Sequence, residues 1–430
     1  MMLLLYFLIS LVSSVRSCPS TCLCTESRSD CTGAGLTSWP TTLPKTTTTL
    51  DLSGNQITRI STDQLQLYEN LKTLVLNGNA IRTVEATKMN ANLEKMDVSN
   101  NQLTELNFLS FFPNLRQVNA SSNSLLNIDE STLAKNVKLE WLSLSDNPLA
   151  ELQPSMFEKN FKLEYLSLSG LQLTHIPAKL LNPLTHLKHV ELRNNINLKN
   201  LRDDLFHYQG NLRYLDLANN SLRSIPRSLR NLNALLYLNL DDNPFECDCQ
   251  MFWFANWLDK KPAKLNLTNG TVCANGQSAV EQLLLLHCSA VQLETSSLIQ
   301  EVVYGEDVVL TCNFSGNPVP IITWITPDQT VLRWPAVTES NSTQSVSLLS
   351  SAQLQVGNVT RNTAGDYTCH ASNALSNVTA FMRVQITPTS FRQIQLRSLM
   401  VGGLCVFAFC FITLIVQGFR YVMDRYSISF

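Results

Sequence analysis

The 430-residue chain has no surplus of positive charge: 32 Lys and Arg stand against 34 Asp and Glu, for a formal net charge of −2 and a pI of about 6.3. That excludes the strongly basic face by which a domain grips nucleic acid. Histidine is scarce too, at six residues, and none of the six pairs with a nucleophile motif outside a repeat, so nothing reads as a catalytic constellation. Long uncharged runs are confined to the two ends. The first, Leu3 to Val12, is too short to span a bilayer, and Val15 and Ser17 sit at −3 and −1 of a cut before Cys18. Residues 1–17 therefore read as a signal peptide. The second, Leu399 to Val416, is 18 uncharged residues flanked by Arg397 and Arg420, about 27 Å long as a helix. It reads as a membrane span over 399–419, after a stalk at 389–398. The expected topology is single-pass type I in the cell membrane, with 18–398 outside and 420–430 left for the cytosol, too few residues for a signalling enzyme domain.

Cysteine, by contrast, is plentiful. Cys18, Cys22, Cys24 and Cys31 form one group, Cys247, Cys249, Cys273 and Cys288 a second, and Cys312 and Cys369 a pair; Cys405 and Cys410 lie inside the membrane span. Ten extracellular cysteines in groups of four, four and two fit disulfides in an oxidising compartment, and secretion with C-x-C spacing disfavours zinc. Each group of four allows three pairings. Eight N-x-S/T sequons, at Asn119, Asn219, Asn266, Asn269, Asn313, Asn341, Asn358 and Asn377, all fall on the outer side and are expected to carry glycans.

Between the first two cysteine groups the pattern L-x-x-L-x-L-x-x-N-x-L recurs, as in LKTLVLNGNAI from Leu71 and LRYLDLANNSL from Leu212. Starts at 47, 71, 93, 115, 139, 163, 187, 212 and 235 give nine units of 22 to 25 residues, the period of leucine-rich repeats. The period predicts an α/β solenoid with a parallel sheet over 47–242, the ninth unit merging into the segment of the second cysteine group. Leu71, Leu74 and Leu76 point inward, and Asn79 satisfies backbone groups of adjacent turns. No unit buries its leucines alone, so both ends need covers. Residues 18–46 cover the first coil and 243–290 the last, where Trp253, Trp257 and Leu258 form the apolar face of a helix. Leu171 replaces the asparagine of its unit and the unit from Leu187 is one residue long around Asn195, so the turns after Leu168 and Leu192 are expected to bulge.

Over 291–388 the period gives way to short β-rich runs. Cys312, Trp324 twelve residues on, and Cys369 two after Tyr367 resemble the core of an immunoglobulin domain, an all-β sandwich. Thr363 stands where that family has an Asp, so its corner salt bridge is not expected.

Taken whole, the order of signal peptide, cysteine-capped repeats, one immunoglobulin domain and one membrane helix resembles the animal LRR-Ig surface proteins, such as LINGO, AMIGO, the netrin-G ligands, Kekkon and the Trk ectodomains. The resemblance of the caps implies the pairings Cys18–Cys24, Cys22–Cys31, Cys247–Cys273 and Cys249–Cys288. That of the family implies binding of an extracellular or membrane protein, as adhesion receptor or co-receptor; the short cytosolic tail favours the alternative of an accessory subunit to a signalling receptor or multipass protein in the same membrane. No cofactor or metal is implied.

Side chains alternate along a strand, which places the third residue of each unit on the concave face. From the fifth unit these residues are Trp141, Tyr165, His189, Tyr214 and Tyr237, a column of rings suited either to anchor a partner or to pack along the sheet. Glu191, Arg193, Asp216, Asn239 and Asp241 form the polar rim of this expected ligand-binding surface. A glycan on Asn119 would shade the N-terminal half. In the span, Gly402 and Gly403 make no G-x-x-x-G, and Cys405 and Cys410 read as small packers. The terminal Ile428-Ser429-Phe430 has the form of a ligand for a PDZ-type groove.

Overall fold

The computed structural model describes residues 18–260, 265–295, 299–334 and 346–426. The segment expected as a signal peptide, the Asn341 sequon and the terminal Ile428–Phe430 lie outside the described residues. The chain divides into two compact units, Met1–Leu286 and His287–Phe430.

The first unit is a leucine-rich-repeat solenoid built on one sheet of twelve strands. Nine of them, from Thr49–Asp51 to Tyr237–Asn239, are three residues each and start at the third position of each unit. They pair in parallel with no register slip: Thr49 faces Thr73, Tyr165 faces His189, and Tyr214 faces Tyr237. The middle residue of each of the nine, such as Leu142 or Leu215, is buried, each contributing about 1.5–3 kcal/mol of transfer free energy. The covers extend the sheet. The N-terminal one adds the antiparallel pair Leu23–Cys24 and Arg28–Asp30, and the C-terminal one adds Asn266–Leu267 beside Tyr237–Asn239.

Two periodic devices close each coil. The asparagine at position nine is buried between turns: Asn79 Nδ2 donates to the carbonyls of Leu52 and Leu76, both at 2.9 Å, while its Oδ1 accepts from Ile57 N–H at 3.0 Å. Asn101, Asn123, Asn147, Asn195, Asn220 and Asn243 repeat the bridge. One residue earlier the backbone is left-handed in all nine units, at Gly54, Gly78, Asn100, Ser122, Asp146, Gly170, Asn194, Asn219 and Asp242. Glycine, or a short polar side chain that bonds locally, meets this demand at least cost. At Gly170 the demand is double, because a Cβ there would also run into the Asp146 carboxylate.

The bulge expected after Leu168 is not found, and that expected after Leu192 leaves the strand itself regular. Leu168 N–H still donates to Glu191 O, and Leu192 N–H to Asp216 O, both at 2.8 Å. Leu171 is itself buried, with its N–H held by Asn195 Oδ1 at 3.1 Å. The extra residue is absorbed beyond the strand, in the turn closed by Leu198 N–H on Asn195 O, where Ile196 is exposed.

Disulfides join Cys18 to Cys24, Cys22 to Cys31 and Cys247 to Cys273, and Cys249 and Cys288 are disulfide-bonded as well. The C-terminal cover is a helix, Phe252–Lys260. Trp253 and Phe254 are buried in the solenoid core, with Trp257 and Leu258 only partly so. Phe254, which the sequence pattern did not single out, is thus more deeply set than Trp257, and the Arg230 guanidinium lies over the Trp253 ring at 4.7 Å.

The second unit contains the immunoglobulin fold. A five-stranded sheet runs in the order Ile299–Val302, Asn377–Ile386, Gly365–Ser372, Ile321–Ile325, Val331–Arg333, alongside a three-stranded sheet of Val308–Thr311, Gln353–Val356 and Val346–Leu348. Ser289–Thr295 pairs with Asn313–Asn317. Trp324 and Tyr367 are fully buried with the Cys312–Cys369 disulfide. Tyr367 Oη donates to Thr363 O at 2.6 Å, and the Thr363 hydroxyl accepts Thr360 N–H at 2.8 Å. A helix follows from Pro388 to Tyr426, so the stretch expected as a stalk is helical; its segment Gln395–Met423 is long and apolar enough to cross a membrane.

Candidate protein-interaction face

Parallel register brings the third-position rings onto five adjacent strands, about 4.8 Å apart. They stack. Centroid separations are 4.7 Å for Trp141 and Tyr165, 4.6 Å for Tyr165 and His189, 3.9 Å for His189 and Tyr214, and 4.4 Å for Tyr214 and Tyr237, with interplanar angles of 6° to 29°. Each ring is half-buried. Because stacked neighbours take both faces of the inner rings, the column meets solvent through ring edges and hydroxyls.

The polar residues beside the column divide by depth. Arg193 is exposed, while Glu191, Asn239 and Asp241 are intermediate. Glu191 receives His189 Nε2 at 2.8 Å on one oxygen and Ser167 Oγ at 3.0 Å on the other, and these donors, that of His189 foremost, hold its carboxyl below the usual range. Asn239 Oδ1 and Asp241 Oδ1 share the Thr268 hydroxyl, at 3.1 and 2.6 Å. Asp216 is no rim residue: it is 3% exposed, accepting Ala218 N–H at 3.0 Å. Burial raises its pKa. Burial, reinforced by Glu191 and Asp216 respectively, pushes the Tyr165 and Tyr214 phenols up to about 12, so both are neutral donors at physiological pH.

Asp216 yields a prediction of sign. Its pKa is higher folded than unfolded, so the ionised group costs stability at neutral pH, and the cost is relieved as pH falls through the folded value. Asp216→Asn keeps an acceptor for Ala218 N–H and removes the charge. It is expected to stabilise the solenoid at pH 7 by an amount in the range of about 0.5–2 kcal/mol, the gain shrinking towards pH 4. Thermal melts across pH check this; a destabilised variant at pH 7 would show the carboxylate to be favourably placed.

Unanticipated by the sequence pattern is a polar hollow of about 240 Å³ beside the column, lined by Ser143, Ser145, Ser167 and Ser169 below Trp141 and Tyr165. Its signal was present in the paired S-x-S strands of the fifth and sixth units: small side chains at positions five and seven of both leave space where the next unit carries Glu191 and Arg193. Asn119 also lines it, half-exposed. Of the remaining sequons, Asn219, Asn266, Asn269, Asn313, Asn358 and Asn377 are all exposed. Among the described residues no group of His, Cys, Asp and Glu is arranged to hold a metal.

Comparison with known families matches a leucine-rich-repeat model to residues 45–103, 137–196 and 185–245, and an immunoglobulin-domain model to residues 283–373. The chain carries leucine-rich repeats and an immunoglobulin domain. Proteins similar to this LRR-Ig chain include the NT-3 growth factor receptor of Gallus gallus, 32% identical over 147 residues, 34% of this chain and 18% of that receptor. Those of Macaca fascicularis and Homo sapiens are 31% and 30% identical over 144 residues, 33% of this chain and 17% of theirs. The chain therefore matches less than a fifth of these relatives' length. Domain content, similarity to receptors and a candidate membrane helix together support a cell-surface, receptor-like role.

Proposed function

We propose that this LRR-Ig chain is a single-pass surface receptor or co-receptor that binds a protein partner through the C-terminal half of its concave face, centred on Tyr165, His189 and Tyr214. The observation that carries the reading is the ring column. Five aromatic residues in register over adjacent strands give one partner several rigid, half-buried anchors at once, and such anchors dominate protein interfaces. Glu191, Arg193 and Asp241 set orientation at the edge. Names of similar proteins as growth factor receptors support a protein ligand for this chain too.

Cells displaying the full chain, mixed with cells displaying candidate surface proteins, test the mode of binding: a partner in trans produces mixed aggregates, whereas an accessory role in one membrane gives labelling of neighbours without aggregation. Two triple-alanine variants test the face. Replacing Tyr165, His189 and Tyr214 is expected to cost about 2 kcal/mol or more of binding, and replacing Thr49, Thr73 and Lys95 little. Equal binding by both, or a loss that only tracks a lowered melting temperature, would assign the rings to sheet packing and move the ligand to the immunoglobulin domain.

A further inference from the structure

We propose that Asn119 carries an N-linked glycan whose innermost sugars are seated in the serine-lined hollow, making carbohydrate a built part of the concave face. Asn119 and Ser121 of the sequon both line the hollow. Ser121 donates its hydroxyl and its N–H to Asn119 Oδ1, at 2.8 and 3.2 Å. The carboxamide is thereby oriented, and its Nδ2 makes only a 3.3 Å contact with Asp97. In the attachment step Nδ2 attacks the anomeric carbon of a lipid-pyrophosphate-linked oligosaccharide. The N–C bond forms, the anomeric C–O bond breaks, the lipid pyrophosphate leaves with the electron pair, and Nδ2 loses one proton. One N–H remains, enough to keep the Asp97 contact.

The lining suits a sugar. Ring hydroxyls and acetamido groups both donate and accept, and the hollow offers both functions: serine hydroxyls, the Glu191 carboxylate and the Arg193 guanidinium. Ser145 and Ser167 bond to each other at 2.6 Å. The Ser169 hydroxyl, buried at 5% exposure, has no partner among the described residues. A buried hydroxyl left so is costly, and because Ser169 lines the hollow, turning its hydroxyl towards a seated sugar would supply the bond. Trp141 completes the fit: Tyr165 stacks on one indole face, whereas its strand neighbour on the other side is Gln117, opposite it in register. That outer face is the surface on which the apolar side of a sugar ring packs.

The seated glycan borders the column at Trp141 and Tyr165 and leaves the edges of His189, Tyr214 and Tyr237 open to a partner, which would share Glu191 and Arg193 with it. The inference does not depend on the partner-binding reading, because its test uses no partner. The full chain is produced in animal cells under a mannosidase inhibitor, so that every glycan is susceptible to an endoglycosidase cutting between the two innermost sugars, and release is followed site by site by mass spectrometry. Asn119 is expected to be occupied and released at least about tenfold more slowly than the exposed Asn219, Asn313 and Asn377 in the native protein, and equally fast after denaturation. About tenfold corresponds to about 1.4 kcal/mol, the scale of one net hydrogen bond. Ser169→Ala is expected to erase most of that difference. Hydroxyl-radical oxidation of Trp141 is expected to rise in both Asn119→Gln and Ser121→Ala, two independent ways to remove the sugar, each checked for an unchanged melting temperature. An unmodified Asn119, release as fast as at the exposed sites, or slow release indifferent to Ser169→Ala would each overturn the proposal.

Discussion

Trp324→Ala is expected to destabilise the immunoglobulin unit by about 3–5 kcal/mol, the usual range for removing a fully buried large aromatic. The ring is wholly enclosed among Leu310, Cys312, Leu354, Tyr367 and Cys369, on a strand where Trp324 pairs directly with Cys369. Its Nε1 donates to Ser351 O at 3.2 Å. Trp324→Phe separates the two contributions. It keeps most of the apolar area and loses the hydrogen bond, for an expected cost nearer about 1 kcal/mol, plus whatever cavity the smaller ring leaves. Denaturant midpoints of the two variants in the full chain decide the matter. If alanine costs no more than phenylalanine, the surrounding sheets close over the gap and the sandwich does not depend on this ring.

Cys273→Ser should be nearly as damaging to the solenoid. The disulfide to Cys247 closes a loop with a sequence separation of 26, for which loop-closure entropy alone predicts about 3.5 kcal/mol, within a usual span of about 2–5. The loss is local in effect. Leu235, Leu238 and Leu240 of the last coil are buried together with Phe245, Met251 and Phe254 of the cover, so a loosened cover exposes them first. The expected results are reduced secretion from animal cells and faster amide exchange confined to residues beyond about Leu235. Secretion and exchange matching the unaltered protein would show that the cover is held by apolar packing without the bridge.

Much of this architecture was legible because each feature has a chemical signature of fixed spacing. Recurring inward apolar residues, with an asparagine in eight of the nine units, locate all nine short strands, and Cys312, Trp324, Tyr367 and Cys369 locate the second core. What escaped depends on context outside the repeat. Asn266–Leu267 joins the sheet although its sequence lacks the leucine pattern, because the open edge at Tyr237–Asn239 offers unpaired backbone groups to whatever lies beside it. The expected bulge at Leu171 failed since a buried leucine and a displaced asparagine bond compensate each other, which spacing cannot reveal. For the face itself, alternation placed the rings correctly, but their mutual stacking is set by side-chain torsions, and the depth of Asp216 by the size of its neighbours.

The ring column also gives the protein an intrinsic optical reporter. A tryptophan and three tyrosines stacked in contact are coupled chromophores: excitation of Tyr165 passes to Trp141 at 4.7 Å, and the ordered array contributes to near-ultraviolet circular dichroism as isolated surface rings do not. His189, stacked between Tyr165 and Tyr214, inserts an imidazole into the same array. Anything that settles on this face, or tilts one ring within it, is therefore registered by light the molecule already absorbs, with no label attached to the surface under study.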